Sequence, residues 1–219
     1  MRNIERGHEK EDEFRSLMQK AIKYIVRHRD NAIWGGITIV AVVVGLIYIS
    51  SKRDTVKPEA ELMYTQAMSM VTMGRMQDGE QLFQQLSEKF PSTRPGTLAL
   101  YYLGTISFYN GRHEEALTFF EKYLAKDRHD YLLGGSALYA AGCAAEGVKD
   151  LEKALGFYRR ITSRKDSPFY FAGQLATGRI EGLLGNREQA RQILQDLLKE
   201  ENLPQDISSD AKFYIGYFN

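Results

Sequence analysis

Residues 111–127, GRHEEALTFFEKYLAKD, carry the pattern that decides the fold. Gly111 is followed by a small residue at Ala116 and by large apolar residues at Phe120 and Tyr123. Glycine suits a turn because it adopts positive φ without strain, and apolar residues three and four positions apart lie on one face of a helix. The segment therefore predicts a tight turn followed by an amphipathic helix.

The same pattern occurs four times at a spacing of about 37 residues. The turn residues are Gly74, Gly111, Lys149 and Gly185, and the small residues that follow them are Gly79, Ala116, Ala154 and Ala190. The large residues are Phe83, Phe120, Tyr158 and Leu194, followed by Leu86, Tyr123, Ile161 and Leu197. A regular spacing of this kind is the sequence signature of a stacked array, in which each unit buries its apolar face against its neighbours.

A second signal lies outside these four segments. It consists of the pairs Leu103 with Gly104, Ala141 with Gly142, Thr177 with Gly178, and Ile215 with Gly216. Together with the turn pattern, these pairs resemble the tetratricopeptide repeat, a helix-turn-helix unit in which small residues permit close helix crossing. The resemblance covers about residues 59–219 and implies an all-α fold, a right-handed solenoid of about four helix pairs plus a terminal helix.

Residues 32–51, AIWGGITIVAVVVGLIYISS, contain no charged side chain. At about 1.5 Å per residue, a helix of this length spans roughly 30 Å, the thickness of the hydrocarbon core of a bilayer. A buried core helix would be shorter or more polar. A cleaved signal peptide is disfavoured because a long charged segment precedes the stretch and its end, ISSKRD, lacks a small-residue cleavage pattern. We predict a transmembrane signal anchor.

The predicted span divides the chain into parts. Residues 1–31 form a charged tail and an amphipathic helix, residues 52–58 form a linker, and residues 59–219 form the repeat domain. A one-residue excess of Lys and Arg on the N-terminal side of the span favours a cytoplasmic N-terminus. The amphipathic helix either lies on the membrane or docks on a membrane partner, or it simply extends the span, and both interpretations stay open.

In tetratricopeptide arrays, the first helix of each pair lines a concave groove, and by this resemblance the groove here is aromatic and apolar. The candidate partner-binding residues are Tyr64, Met68, Tyr101, Thr105, Phe108, Tyr109, Tyr139, Arg179, Phe213 and Tyr217. Further groove positions hold Glu61, Val71, Leu98, Ser136, Cys143, Glu146, Leu175 and Leu183. Rigid rings and adaptable methionines suit varied apolar segments, although each single ring could instead belong to the core.

The groove composition argues against the tetratricopeptide proteins that bind chaperone tails. Those proteins hold a terminal carboxylate with Lys, Arg and Asn side chains, whereas Tyr64, Met68, Thr105 and Cys143 occupy such positions here. The groove is therefore predicted to bind an extended or helical apolar segment of another protein.

The sequence contains no catalytic or cofactor-binding motif of the P-loop, dinucleotide-binding, nucleophile-elbow or zinc-protease type. His113 and His129 are interpreted as solvated, and Cys143 as a packed small residue. The 29 basic and 28 acidic residues give a net charge of +1, which disfavours nucleic acid. We therefore predict a non-enzyme with no cofactor, no metal, no nucleic-acid partner and no small-molecule substrate.

The lead-in helix, the span and the repeats together resemble the ancillary-subunit family of the bacterial SecYEG translocon. This resemblance implies a bacterial inner-membrane protein whose C-terminal domain is periplasmic and whose partners are the translocon, exported chains or periplasmic chaperones. Two alternatives stay open. One is a scaffold adaptor of an envelope-assembly complex with one folded partner, and the other is an organelle-surface receptor whose repeat domain faces the cytosol.

Overall fold

The structure, a computed structural model, describes residues 40–45, 57–126 and 131–219. The chain divides into two compact units, Met1–Thr55 and Val56–Asn219. In the first unit, residues 40–45 are helical. The rest of the predicted span at 32–51, the N-terminal amphipathic helix and the linker up to residue 56 lie outside the described residues. Within the described ranges, no helix is both long enough and apolar enough to cross a bilayer.

The second unit is built from helices, and its described residues contain no strand. The helices are α1 (Pro58–Thr72), α2 (Met76–Lys89), α3 (Arg94–Tyr109), α4 (His113–Lys126), α5 (Tyr131–Gly147), α6 (Leu151–Thr162), α7 (Tyr170–Leu183), α8 (Arg187–Leu197) and α9 (Gln205–Tyr217). Each helix packs against the next, and α1 with α3, α3 with α5, and α7 with α9 also touch. The odd-numbered helices are the first helices of each pair and the even-numbered ones the second. The all-helical repeat array expected from the sequence is confirmed.

The four turns between paired helices share one backbone geometry. The turn residues Gly74, Gly111 and Gly185 have φ values of 77°, 75° and 91°, and Lys149 has a φ of 65°. At each turn, the amide of this residue donates to the carbonyl three residues earlier, and the next amide donates to the carbonyl five residues before it. This is the Schellman pattern of a left-handed helix end. Lys149 therefore keeps the turn of its unit while adopting a conformation that favours glycine.

The seam inside the second, third and fourth repeats is made by a glycine of the first helix and a large side chain of the second. A Cβ atom added to Gly104 would lie 2.8 Å from the Phe120 ring, and one added to Gly142 would lie 2.5 Å from the Tyr158 ring. Phe120 is 1% exposed and Tyr158 is fully buried. Because no side chain fits between them, the two helices cross closely, as the glycine pairs in the sequence predict.

On each first helix, one row of residues faces the second helix of the same repeat. The equivalent row of α9, at the C-terminal end of the described array, is polar. In α3 this row contains Leu100 and Gly104, both buried. In α9 the equivalent residues are Lys212 and Gly216, and nothing lies within 4 Å of a Cβ built on Gly216. This row of α9 is therefore exposed in the structure, whereas the equivalent row of α3 is buried.

Candidate protein-binding groove

The residues predicted to line the groove come from successive first helices and contact one another. The Tyr101 hydroxyl lies 2.8 Å from the Ser136 hydroxyl and links α3 to α5. Arg179 of α7 donates to Glu146 of α5. The structure therefore brings Tyr101 close to Ser136 and Arg179 close to Glu146. We call the predicted groove residues of α1, α3, α5, α7 and α9 the groove face.

The N-terminal part of the groove face is closely packed. The Tyr64 hydroxyl donates to the Tyr102 hydroxyl at 3.3 Å, and the Tyr102 ring stacks on Phe83 with centroids 5.1 Å apart. Tyr64 and Met68 are half-buried against the core below them. Burial, aided by the bond to Tyr102, raises the pKa of Tyr64. In this part, tyrosines mainly join neighbouring helices and offer little free apolar surface.

The centre of the groove face holds an ion pair. The two terminal nitrogens of Arg179 donate to the two carboxylate oxygens of Glu146 at 2.6 and 2.7 Å. The Tyr158 hydroxyl donates to the same carboxylate at 2.6 Å. The bond to Glu146 raises the pKa of Arg179, and both side chains are only about a fifth exposed, at 22% and 21%. The pair is thus a well-formed bidentate bridge that fixes α5 against α7.

Tyr139 and Cys143 lie beside this ion pair. The Tyr139 ring is 5.6 Å from the Tyr158 ring and stacks on Phe169 at 6.3 Å, which leaves it half-buried. Burial raises the pKa of the Cys143 thiol, which disfavours the reactive thiolate. In the described part of the chain, no group of three His, Cys, Asp or Glu side chains could hold a metal ion.

Of the seven exposed large apolar side chains among the described residues of the second unit, four lie at predicted groove positions and three, Leu62, Met73 and Met76, do not. C-terminal to Met76, the exposed large apolar side chains of the described residues are Tyr109 (82% exposed), Leu183 (47%), Phe213 (64%) and Tyr217 (65%). All four are predicted groove residues. Since folding has buried the other large apolar side chains of this part at least partly, these four form the accessible portion of the groove face.

Two of the remaining predicted groove residues are less accessible. Thr105 donates its hydroxyl to the Tyr101 carbonyl at 2.9 Å, within its own helix. Phe108 is half-buried, and its ring lies 5.3 Å from His113. These two residues therefore form part of the groove face but offer little surface to a partner.

The interpretation of His113 as a solvated residue was wrong. Its ring packs against Phe108 and below Gly147, where a side chain would collide with the imidazole. Its Nδ1 atom is buried and has no hydrogen-bond partner in the described residues. The glycine at the end of α5 creates this space, and nothing in the sequence near His113 signals it.

A buried carboxylate was also missed from the sequence. Glu181 is 1% exposed, and its carboxylate accepts hydrogen bonds from Arg159 and, at 2.8 Å, from the Asn186 side chain. The available signal was the position of Glu181 three residues after Gly178, on the face that meets the second helix.

The family model of the tetratricopeptide repeat matches residues 64–131, which extend from α1 to the first residue of α5. Residues 64–131 are therefore similar to tetratricopeptide repeats. The repeat geometry of the helices beyond residue 131 agrees with this assignment, since the turns at Lys149 and Gly185 share the pattern of those at Gly74 and Gly111. No curated protein matches the chain.

Several solved structures share the fold. A tetratricopeptide repeat protein from Parabacteroides merdae superposes with a TM-score of 0.61 at 18% identity over 74% of this chain and 62% of that protein. MamA protein gives a TM-score of 0.60 at 16% identity over 74% and 82% of the two chains. YrrB, described as a tetratricopeptide protein with an unusual peptide-binding site, gives 0.57 at 15% identity over 71% and 75%. At these identities the similarity shows the fold.

Proposed function

We propose that this protein is a non-enzymatic protein-interaction module that binds an apolar segment of a partner protein through the groove face. The proposal rests on one observation: exposed aromatic rings occur at the repeat positions that are predicted to line the groove. The rings of Tyr109, Phe213 and Tyr217 are exposed, and by their resemblance to tetratricopeptide positions they are predicted to line the partner-binding groove. The peptide-binding site described for YrrB supports the same use of this fold.

The chemistry of the accessible residues suits this role. Tyr and Phe offer large contact areas with only two side-chain torsions to fix, so that binding costs little conformational entropy. Clustered exposed apolar side chains are uncommon on monomeric proteins and mark interaction sites. The ion pair between Glu146 and Arg179 joins α5 to α7 and so holds two of the first helices in a fixed relation.

We further propose that the module is tethered to the bacterial inner membrane by residues 32–51, with its N-terminus in the cytoplasm and the repeats in the periplasm. There it contacts the translocon, exported chains or periplasmic chaperones. The charge-free stretch and the resemblance to the ancillary translocon subunits support this location. Tethering raises the local concentration of the groove near emerging chains, so weak contacts can suffice for capture.

Topology is tested first. Reporter fusions at residues 1 and 219 should place the N-terminus in the cytoplasm and the C-terminus in the periplasm. A cytosolic C-terminus would exclude the translocon role and would favour an organelle-surface or cytosol-facing receptor.

The groove is tested by a photo-reactive residue at Tyr109, introduced into the full chain in cells. Crosslinks to the translocon and to many exported chains are expected, whereas one dominant folded protein would indicate a scaffold adaptor. The matched control places the same residue at Gln195, which is exposed on the second helix α8 and lies off the groove face. Equal crosslinking from both positions would remove the groove face as the binding site.

A further inference from the structure

Helix α9 presents one exposed stripe that combines acids and rings. Asp206, Asp210, Phe213 and Tyr217 are separated by four, three and four residues, so they lie on a single helix face. All four are exposed. The rings of Phe213 and Tyr217 stack on each other with centroids 6.2 Å apart and an interplanar angle of 20°. The stripe is the largest exposed aromatic surface of the groove face that sits on one helix.

The two aspartates of the stripe have no cationic partner in the described part of the chain. The ion pairs of the last four helices involve other carboxylates, among them Glu181, Glu146 and Glu188. The positive charge of Arg179, the nearest cation of the groove face, is already balanced by Glu146. Lys212 lies in the row of Gly216, on another side of the helix. The accessible end of the groove face is therefore negatively charged.

Asp210 is exposed and lies one helical turn before Phe213 on α9. Burial is the main cause that raises the pKa of Tyr139 on α5, and the carboxylate of Asp210 contributes to the same rise. The stripe shares Phe213 and Tyr217 with the predicted groove residues, so it forms one end of the groove face.

We propose that this stripe binds a partner segment in which Lys or Arg side chains alternate with apolar ones. The inference rests on the proposed function, because it assigns the charge of the segment that the groove face binds. The aspartates attract cationic heads, and the faces of Phe213 and Tyr217 hold both aliphatic stems and cations through cation-π contact.

Charge complementarity excludes the other occupants. A purely apolar segment would cover two carboxylates without compensating their negative charges, and an acidic segment would be repelled by them. A second copy packed through the same stripe would bring aspartates and rings but no cation. A cationic amphipathic segment satisfies both features of the stripe at once.

The test measures the binding of labelled peptides to the full chain in detergent by fluorescence anisotropy. Three labelled peptides share the same Leu and Phe positions and differ at the polar positions, which are Lys, Gln or Glu. We expect the Lys peptide to bind about tenfold more tightly than the Gln peptide at low salt and the Glu peptide to bind least. The preference should shrink as salt screens the aspartates.

Variants separate charge from apolar contact. The double variant Asp206→Asn with Asp210→Asn should lose the Lys preference and keep the affinity for the Gln peptide. Phe213→Ala should weaken the binding of all three peptides. The matched control Glu152→Gln with Glu201→Gln makes the same change in net charge at exposed sites outside the first helices, and it should keep the preference.

The outcomes distinguish the two proposals. Equal affinity for the Lys and Gln peptides, together with weaker binding after Phe213→Ala or Tyr109→Ala, would overturn the cationic partner and leave the groove intact. Absence of binding to every peptide would overturn both. A concentration-dependent dimer that Phe213→Ala abolishes would assign the stripe to a second copy and also overturn the inference.

Discussion

Tyr101 on α3 and Phe213 on α9 occupy the same position of their repeats, three residues before Gly104 and Gly216, yet their rings differ in exposure. Tyr101 is half-buried and its hydroxyl meets Ser136 on the next first helix, whereas Phe213 is 64% exposed. Tyr101 is partly covered through its contact with the next first helix, whereas Tyr109 on the same helix stays exposed although that helix follows it as well. Residue type and repeat position alone therefore do not decide whether a groove ring is accessible.

The largest expected effect compares two equivalent glycines. Gly142→Leu places a side chain where even a Cβ would lie 2.5 Å from Tyr158, so it should lower the free energy of unfolding by about 3 kcal/mol or more. A Cβ on Gly216 would have no atom within 4 Å, so Gly216→Leu should change the free energy of unfolding by less than about 1 kcal/mol. Urea unfolding followed by circular dichroism measures both. Similar losses in the two variants would mean that the C-terminal end is as tightly packed as the centre.

The next effect concerns the ion pair at the centre of the groove face. Arg179→Met leaves the carboxylate of Glu146 half-buried without its cation and should cost about 2 kcal/mol of unfolding free energy. The exposed pair of Arg75 and Asp78 is the control, and Arg75→Met should cost less than about 0.5 kcal/mol.

A double variant shows whether this cost comes from the unpaired charge. Glu146→Gln with Arg179→Met removes both charges and should be more stable than Arg179→Met alone. If the double variant is the less stable of the two, the guanidinium stabilises the centre through contacts other than the pair.

A smaller effect is expected at the turn between α5 and α6. Lys149→Gly relieves a positive φ of 65° and should raise the unfolding free energy by about 1 kcal/mol. Because the turn lies off the groove face, peptide affinity should not change. Reduced stability in thermal melts would show that the Lys149 side chain makes contacts that outweigh the backbone cost.

The smallest stability effect is expected at the exposed rings. Phe213→Ala should change the unfolding free energy by less than about 0.5 kcal/mol, because the ring is mostly in water. Tyr101→Ala, at the same repeat position, should cost about 2 kcal/mol through lost packing. The same chemical unfolding experiment checks the pair, and a large loss for Phe213→Ala would contradict the contrast between the two parts of the groove face.

The sequence predicts the features that depend on local geometry. The turn at Lys149 and the seam between Gly142 and Tyr158 follow from spacing, because a Schellman turn and a close helix crossing each require particular residues at fixed positions. The assignment of rings to the groove follows from the repeat register. Which of them stay exposed does not, since the exposure of Tyr109 or Tyr101 depends on which side chains the next helix offers.

The features that the sequence did not predict arise from contacts between distant residues. Glu181 is buried because Arg159 and Asn186 converge on it from separate segments. His113 is covered because α5 ends in Gly147, 34 positions later in the chain. A polar residue gains a buried partner only through the tertiary arrangement, and the periodicity of a single sequence does not predict such a pairing.

The one-sided packing of α9 has a consequence for how binding is detected. Among the described helices, α9 contacts α7 and α8, whereas α5 contacts α3, α4 and α6, so the amides of α9 should open locally at a lower free energy than those of α5. A ligand at 100 times its dissociation constant adds about 2.7 kcal/mol to the state that it binds. Hydrogen exchange in α9 should therefore slow on occupancy, so that this helix reports binding directly.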